Sequence, residues 1–469
     1  MSDSDLCYLS ATEALRLYRT RDVSPVEVLN AQLARIEKLE PSINALSARR
    51  IDAALSQARV AEQNYLKASH SAPQSLGALE GIPTLIKNEH NLIGMHTTQG
   101  SWLCGEEPDQ ENAPIVQRLL DAGAVIHGQT NVPEFYMAGF TRSLRHGVTR
   151  NPWNPAITCG GSSGGSAAAL ASGMTSLATA SDIGGSIRIP SSYCGVVGLK
   201  PSYGRVPESN FAYALNPCNH NGVMARTVAD CALMFNVVNG PHPSDPATVK
   251  PKLNLPDEFK PVKGLRIAIS YNLGYFNIHS DVLRNTQQVA AALRDLGAQV
   301  DEIELPWNER IPEAFTNYLG FILGGPLAKS ISADRHRVSD YVCHFADFAK
   351  SISPDQYLAT TDVIAMMYQS LQQVFEKYDA LICPTTADTL TPAEGFCDAH
   401  SNLLHKALTY PFNLLSRHPV LAVPSGMAGN GVPTGVQIVG PTFEEELVLR
   451  VGAGLESQLG ILRLASTVN

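Results

Sequence analysis

Charge is scarce in this chain. Only 17% of its 469 residues are Asp, Glu, Lys or Arg, a low share that suits a large protein with much interior per unit of surface. The net charge of −9 lacks the excess of Lys and Arg that a nucleic-acid surface needs, so no direct contact with nucleic acid is expected. Cys-x-x-Cys is absent although there are nine cysteines, which excludes a zinc ribbon or a disulfide framework. The thiols read as small apolar groups. No run of about 18 apolar residues occurs, so no membrane span is expected. Met1-Ser2-Asp3-Ser4-Asp5 lacks the basic-then-apolar order of a signal peptide, and a cytoplasmic location follows by default.

What is present suits a large core: 44% of the residues are hydrophobic. Single cores stop growing near roughly 250–300 residues, so the chain needs an added layer or a second domain. Our reading is one large domain, residues 1–469, with a helical layer over about 1–70 and a mostly helical capping part over about 307–378. Ser24-Pro25-Val26-Glu27 starts a helix, with a capping Ser, Pro at the first position and Glu three residues on; Pro41 should close it. Ile51 to Lys67 reads as a second helix. Beyond it, strand and helix alternate: helix Val116–Asp121 then strand Ala124–Ile126, and strand Leu265–Ile269, helix Ser280–Leu296, strand Gln299–Ile303. Strands near Ala380–Cys383 and Val436–Val439 should join them. The fold class expected is α/β, with a central mixed, mostly parallel sheet covered by helices on both faces.

The chemistry concentrates in Gly160-Gly161-Ser162-Ser163-Gly164-Gly165-Ser166 and in Asp182-Ile183-Gly184-Gly185-Ser186-Ile187-Arg188. Such Gly/Ser density usually marks a linker, but here apolar and small segments flank it, as buried backbone requires. Two glycines before Ser186 let successive amides curve around one point, a nest for an anion; a tight turn would need the same glycines. Serine needs a base to attack a carbonyl. None of the 13 histidines sits in a recognisable triad context. Gly160 to Gly164 also fits G-x-S-x-G, but the preceding Pro155-Ala156-Ile157-Thr158 is a poor strand for a nucleophile elbow. Lys87 ends the apolar run Gly81-Ile82-Pro83-Thr84-Leu85-Ile86; burial there would lower its proton affinity.

Lys87, Ser162, Ser186 and the Gly160–Pro201 segment together closely resemble the amidase signature family. Gly81–Lys87, Val116–Thr130, Asn151-Pro152-Trp153, Met224–Asp230 and Val432–Pro441 extend the likeness over nearly the full chain, more weakly between about 240 and 375. The resemblance implies the amidase signature fold and hydrolysis of a small carboxamide through a seryl acyl-enzyme. It implies Ser186 as nucleophile, Ser162 as a bridging serine on a cis peptide from Gly161, and Lys87 as the ultimate base. The amides of Ile183, Gly184, Gly185 and Ser186 would hold the oxyanion, and Ser163, Asp182 and Arg188 would brace the loop. No cofactor and no metal follow from it, and His400 and His405 show no ligand spacing.

Three positions depart from the common family pattern: Asn88 where Asp is usual, Ile183 where Thr is frequent, and Ser416-Arg417-His418 before Pro419. Loss of a carboxylate at 88 would ease deprotonation of Lys87 if that side chain faces the site. Tyr136, Phe140, Phe412 and His418 are candidates for the substrate pocket. The partner expected is a small-molecule amide, and a homodimer is left open. The alternative is the glutamine-hydrolysing subunit of a tRNA-dependent amidotransferase, which shares the signature and would pass ammonia to a partner.

Overall fold

The computed structural model describes residues 1–68, 76–209 and 215–464. Its framework is an eleven-stranded sheet. The strands are β1 (Leu46–Arg49), β2 (Pro83–Lys87), β3 (Val125–Thr130), the separate hairpin β4 (Arg142–Ser143) and β5 (Gly147–Val148), β6 (Leu177–Asp182), β7 (Val197–Lys200), β8 (His220–Ala225), β9 (Arg266–Ile269), β10 (Gln299–Glu302), β11 (Ala380–Pro384), β12 (Val420–Met427) and β13 (Pro433–Val439). Across the sheet the order is β1-β3-β2-β6-β8-β7-β12-β13-β11-β9-β10.

The sheet is mixed, as expected, but its parallel share is smaller than the sequence suggested. Parallel pairing joins β3, β2 and β6 on one side and β11, β9 and β10 on the other. The strands between them, β6-β8-β7-β12-β13-β11, pair antiparallel throughout. The alternation of helix and strand exposed the flanks of the sheet and, of its middle, only Val436–Val439. β6, β7 and β8 are short runs of small and polar residues that carry no strand periodicity, and tertiary packing makes them strands.

Successive side chains on a strand point to opposite faces, and the cores follow that rule. Ile267, Ile269, Ala380, Ile382, Val436 and Ile438 pack on one face with the helices Pro114–Asp121, Val228–Val238, Ser280–Asp295 and Glu445–Leu459. Ala268, Leu381, Cys383 and Val439 pack on the other, against residues of the helices Arg310–Leu319 and Pro354–Phe375. Next to them on that face, Leu85, Ala178, Ala180 and Met224 meet the helix Gly164–Ala171, whose residues are all buried. Only small side chains allow a helix to be enclosed so fully.

The first long helix runs Pro25–Ile43 and contains Pro41 rather than stopping there. The chain leaves it at Asn44, which takes the left-handed conformation (φ 55°, ψ 54°) and donates its amide to Glu40. A proline one turn from a helix end removes a single hydrogen bond, which that cap compensates. The part expected to be helical at 307–378 comprises Arg310–Leu319, a π-turn at Gly320–Gly324, Gly325–Ser330, Asp340–Ala349 and Pro354–Phe375. Among the described residues no helix is long and apolar enough to cross a membrane.

Candidate active site

β2 and β6 run parallel, so their carboxyl ends open at the same edge of the sheet. Lys87 is the last residue of β2, and Asp182 is the last of β6, directly before the loop that carries Ser186. The third piece is the turn before helix Gly164–Ala171, where the Gly161–Ser162 peptide is cis. Backbone bonds stitch this turn to the Ser186 loop: Ser163 donates its amide to the Ser186 carbonyl (3.1 Å) and its hydroxyl to the Ser181 carbonyl (3.3 Å).

Lys87 is fully buried. Its Nζ lies 2.8 Å from Ser162 Oγ, 2.7 Å from Ser181 Oγ and 3.0 Å from Glu89 Oε2. Ser181 Oγ in turn donates to the same Glu89 oxygen. The Tyr136 ring stands over the lysine, 5.2 Å from Nζ to the centroid. Burial pulls the lysine below its ordinary proton affinity, and the Glu89 carboxylate pulls back without cancelling that effect. Glu89 is held below the usual carboxylate range because Lys87, His90 and Ser181 outweigh its own desolvation.

This corrects the expectation for Asn88. Its side chain turns away from Lys87: Nδ2 donates to the His96 carbonyl and Gln129, and Oδ1 accepts from the amide and hydroxyl of Thr98. The carboxylate missing at 88 is supplied at 89. The condition set from the sequence, that the side chain at 88 faces the lysine, is not met, and Lys87 has a carboxylate partner in Glu89.

Asp182 and Arg188 are a fully buried ion pair that organises the Ser186 loop. Asp182 accepts from the amides of Gly185 (2.7 Å) and Ile187 (3.1 Å) and from Arg188 Nε and Nη2. The guanidinium beside it, with Asn413, holds its carboxyl far below the usual range. The remaining Arg188 donors reach the Thr409 carbonyl, Gln437 and Asn413, so every guanidinium N–H has a partner. Gly185 sits at φ +126°, and a Cβ there would lie 2.1 Å from Thr409 Oγ1; only glycine fits.

That pairing also corrects the amide set. The Gly185 N–H is committed to Asp182, whereas the amides of Ile183, Gly184 and Ser186 have no hydrogen-bond partner among the described residues. Ser186 Oγ is likewise without one, and the residue is 8% exposed. No hydrogen bond joins it to Ser162 Oγ, although both hydroxyls line the same cavity. Catalytic contacts often tighten only when substrate binds.

The cavity holds about 360 Å³. Glu89, Gln99, Tyr136, Ser162, Ser181 and Ser186 line it together with Phe135, Met137, Ile183 and Asn219; Ile322, Leu323, Pro326, Leu327 and Ser330 come from the π-turn and the helix after it. Gln99, Phe135 and Tyr136 take positive φ (53°, 51° and 63°), a rare conformation for such side chains. The wall is locked in place by Glu134, which accepts from Ser101 Oγ (2.6 Å) and the Ser339 amide (2.7 Å). A smaller cavity of about 40 Å³ shares Ser186 and Tyr136 with the larger one and is lined further by Phe315, Leu319, Phe345, His400 and Leu403.

Of the candidate pocket residues, Tyr136 lines both cavities. Phe140 instead stacks edge-on against Tyr341 and borders a separate crevice with Ile189 and Tyr193. Phe412 is buried against Trp307. His418 is buried, bonded through Nδ1 to the Gly440 carbonyl and stacked on Phe375, so it does not project toward the cavity. Sequence reasoning missed Glu89 and Ser181. The cue for Glu89 was its place two residues after the lysine; Ser181 lay inside the motif without being singled out. No cluster of three or more His, Cys, Asp or Glu able to hold a metal occurs among the described residues.

Residues 27–449 match the family model described as Amidase. The chain is 33% identical over 470 residues to an acylamidase of Rhodococcus erythropolis, covering 97% of each. It is 34% identical over 478 residues to a subunit of the glutamyl-tRNA(Gln) amidotransferase of Chloroflexus aurantiacus, covering 96% of each. Among solved structures, a bacterial aryl acylamidase of the amidase signature family superposes with a TM-score of 0.87 at 27% identity, covering 96% of each chain.

Proposed function

Since the chain belongs to the amidase family, we propose that it hydrolyses small, largely apolar carboxamides through an acyl-enzyme on Ser186. The observation that carries this reading is the 2.8 Å contact of buried Lys87 Nζ with Ser162 Oγ, beside a cavity that also holds the Ser186 hydroxyl. In the neutral form Lys87 takes the Ser162 proton while Ser162 takes that of Ser186, and the freed alkoxide attacks the amide carbon. The oxyanion falls to the open amides of Ile183, Gly184 and Ser186, each worth on the order of 3 kcal/mol to the transition state. As the C–N bond breaks, the proton returns from Lys87 through Ser162 to the departing nitrogen. Water then cleaves the acyl ester by the same relay and restores Ser186.

The amidotransferase relative supports a second reading, use of glutamine. Against it stands the charge of the cavity. Glutamine brings an α-carboxylate, and among the described lining residues there is no cation to receive it, Lys87 being engaged by Glu89. The test is turnover by the purified chain of aliphatic, aryl and amino-acid amides and of glutamine. Apolar amides should be hydrolysed, and Ser186→Ala should lower kcat by about 10⁴-fold or more. Glutamine turnover that appears only with a partner protein would favour the second reading. Undiminished turnover in Ser186→Ala would defeat both.

A further inference from the structure

We propose that Glu89 is the positioning partner of the base, holding Lys87 on Ser162 and setting the pH at which activity begins. The inference rests on the reading of Lys87 as the base. Glu89 Oε2 touches both Lys87 Nζ and Ser181 Oγ, and Ser181 Oγ also touches Nζ, so three groups close a triangle. A lysine amine has three substituent directions besides its carbon. Ser162, Ser181 and Glu89 occupy them, which fixes the nitrogen where its lone pair, once a proton is lost, can face Ser162. Without Glu89 and Ser181, the flexible four-carbon stem would have one directional contact in place of three.

The same contact sets the charge. The groups that act on Lys87 are Glu89, Asp182 and Glu208, which favour the ammonium, and His90, which is buried, bonded to Thr179 and Asn221, and held below its usual proton affinity by desolvation. Asp182 is neutralised by Arg188, and Glu208 is engaged by Asn219 and Asn221, so Glu89 is the carboxylate in direct contact. Its side chain is only 10% exposed, so water screens the pair weakly. Burial frees the base and Glu89 restrains it. The working pH of the relay is the balance of the two, and one substitution can shift it.

The experiment is the pH profile of kcat/KM for an apolar amide, with Glu89→Gln, Glu89→Ala and Glu89→Asp beside the parent. The amide of Gln keeps the size and the bond from Ser181 but not the charge. Lys87 then loses its proton at lower pH, and the acid limb should move down by roughly 1–3 units, the range an opposite charge at this distance produces. Glu89→Asp should keep the parent limb and lower the plateau kcat with little change in KM. An unmoved acid limb in Glu89→Gln and Glu89→Ala would overturn the proposal. So would failure of both to fold while Glu89→Asp folds, since the role would then be structural. Undiminished activity in Lys87→Ala would instead overturn the reading on which the inference rests.

Discussion

Around Lys87 and Ser186 the cavity wall carries hydroxyls, amides and paired charge, bonded to one another around Lys87 and left open at the Ser186 hydroxyl and the amides of Ile183, Gly184 and Ser186. From the capping part Ile322, Leu323, Pro326 and Leu327 offer methyl and methylene, with Ser330 the one hydroxyl among them. The floor comes from strand ends and tight turns whose positions hydrogen bonds fix within narrow distances. The roof comes from a helical part interrupted by a π-turn at Gly320–Gly324, which such turns often are at functional places. Directional bonds can define a reaction, and apolar contact can define only a size and a shape. In this molecule the two kinds of contact come from different parts of the chain.

Breaking the floor should cost most. Lys87→Ala should lower kcat by roughly 10²–10⁴-fold, the usual worth of a positioned proton transfer. It also removes the cation from Glu89, so the unfolding midpoint should fall, and adding Glu89→Gln should restore it in urea titrations. Arg188→Met breaks the buried pair with Asp182, and stability should drop by about 3–5 kcal/mol in the same assay, because Asp182 is left as an uncompensated buried charge. An Arg188→Met protein as stable as the parent would mean that the loop does not depend on this pair.

Changing the roof should leave the chemistry intact. Leu323 borders both cavities. Leu323→Ala should change the preference between a bulky and a small amide by about tenfold, mostly through KM, as lost apolar contact does. An equal fall of kcat for both amides would show that the roof shapes the floor and would end the comparison.

A last test, of stability against pH, touches both regions, and its smallest readout is the change that one histidine makes. Burial holds His220, near the floor, down to about 3, and holds His400 and His418, under the capping helices, down to about 4. The unfolded chain takes up these protons near pH 6.5. Their folded affinities are depressed, so the stability they contribute is present above about 6.5 and is lost as pH falls toward 4. Melting temperature should decline over that window, and His400→Phe, which removes one such group from the aromatic cluster, should make the decline shallower.

The local parts of the site were legible because paired glycines beside serines mark backbone that takes turns closed to other residues. Asp182-Ile183-Gly184-Gly185-Ser186 can fold around an anion for reasons that lie within the segment itself. The flanking strands Arg266–Ile269 and Gln299–Glu302 were legible for the same reason, through alternation with a helix. Of the antiparallel middle only Val436–Val439 was, since runs such as Leu177–Asp182 become strands only through the neighbours they find. Nor was the choice among Tyr136, Phe140 and Phe412, aromatic residues equally fit for a core or a pocket.

By itself the sequence determined which groups could react: a lysine at a strand end, two serines in glycine-rich turns, and a charged pair beside them. Tertiary structure alone decided what surrounds the lysine. Asn88 turns into the scaffold and Glu89 turns to the amine, a choice that the two-residue spacing from Lys87 hints at and that partners from other segments make. It is settled by Thr98, Gln129 and Ser181, brought in from other segments, because a buried polar group goes where a partner waits.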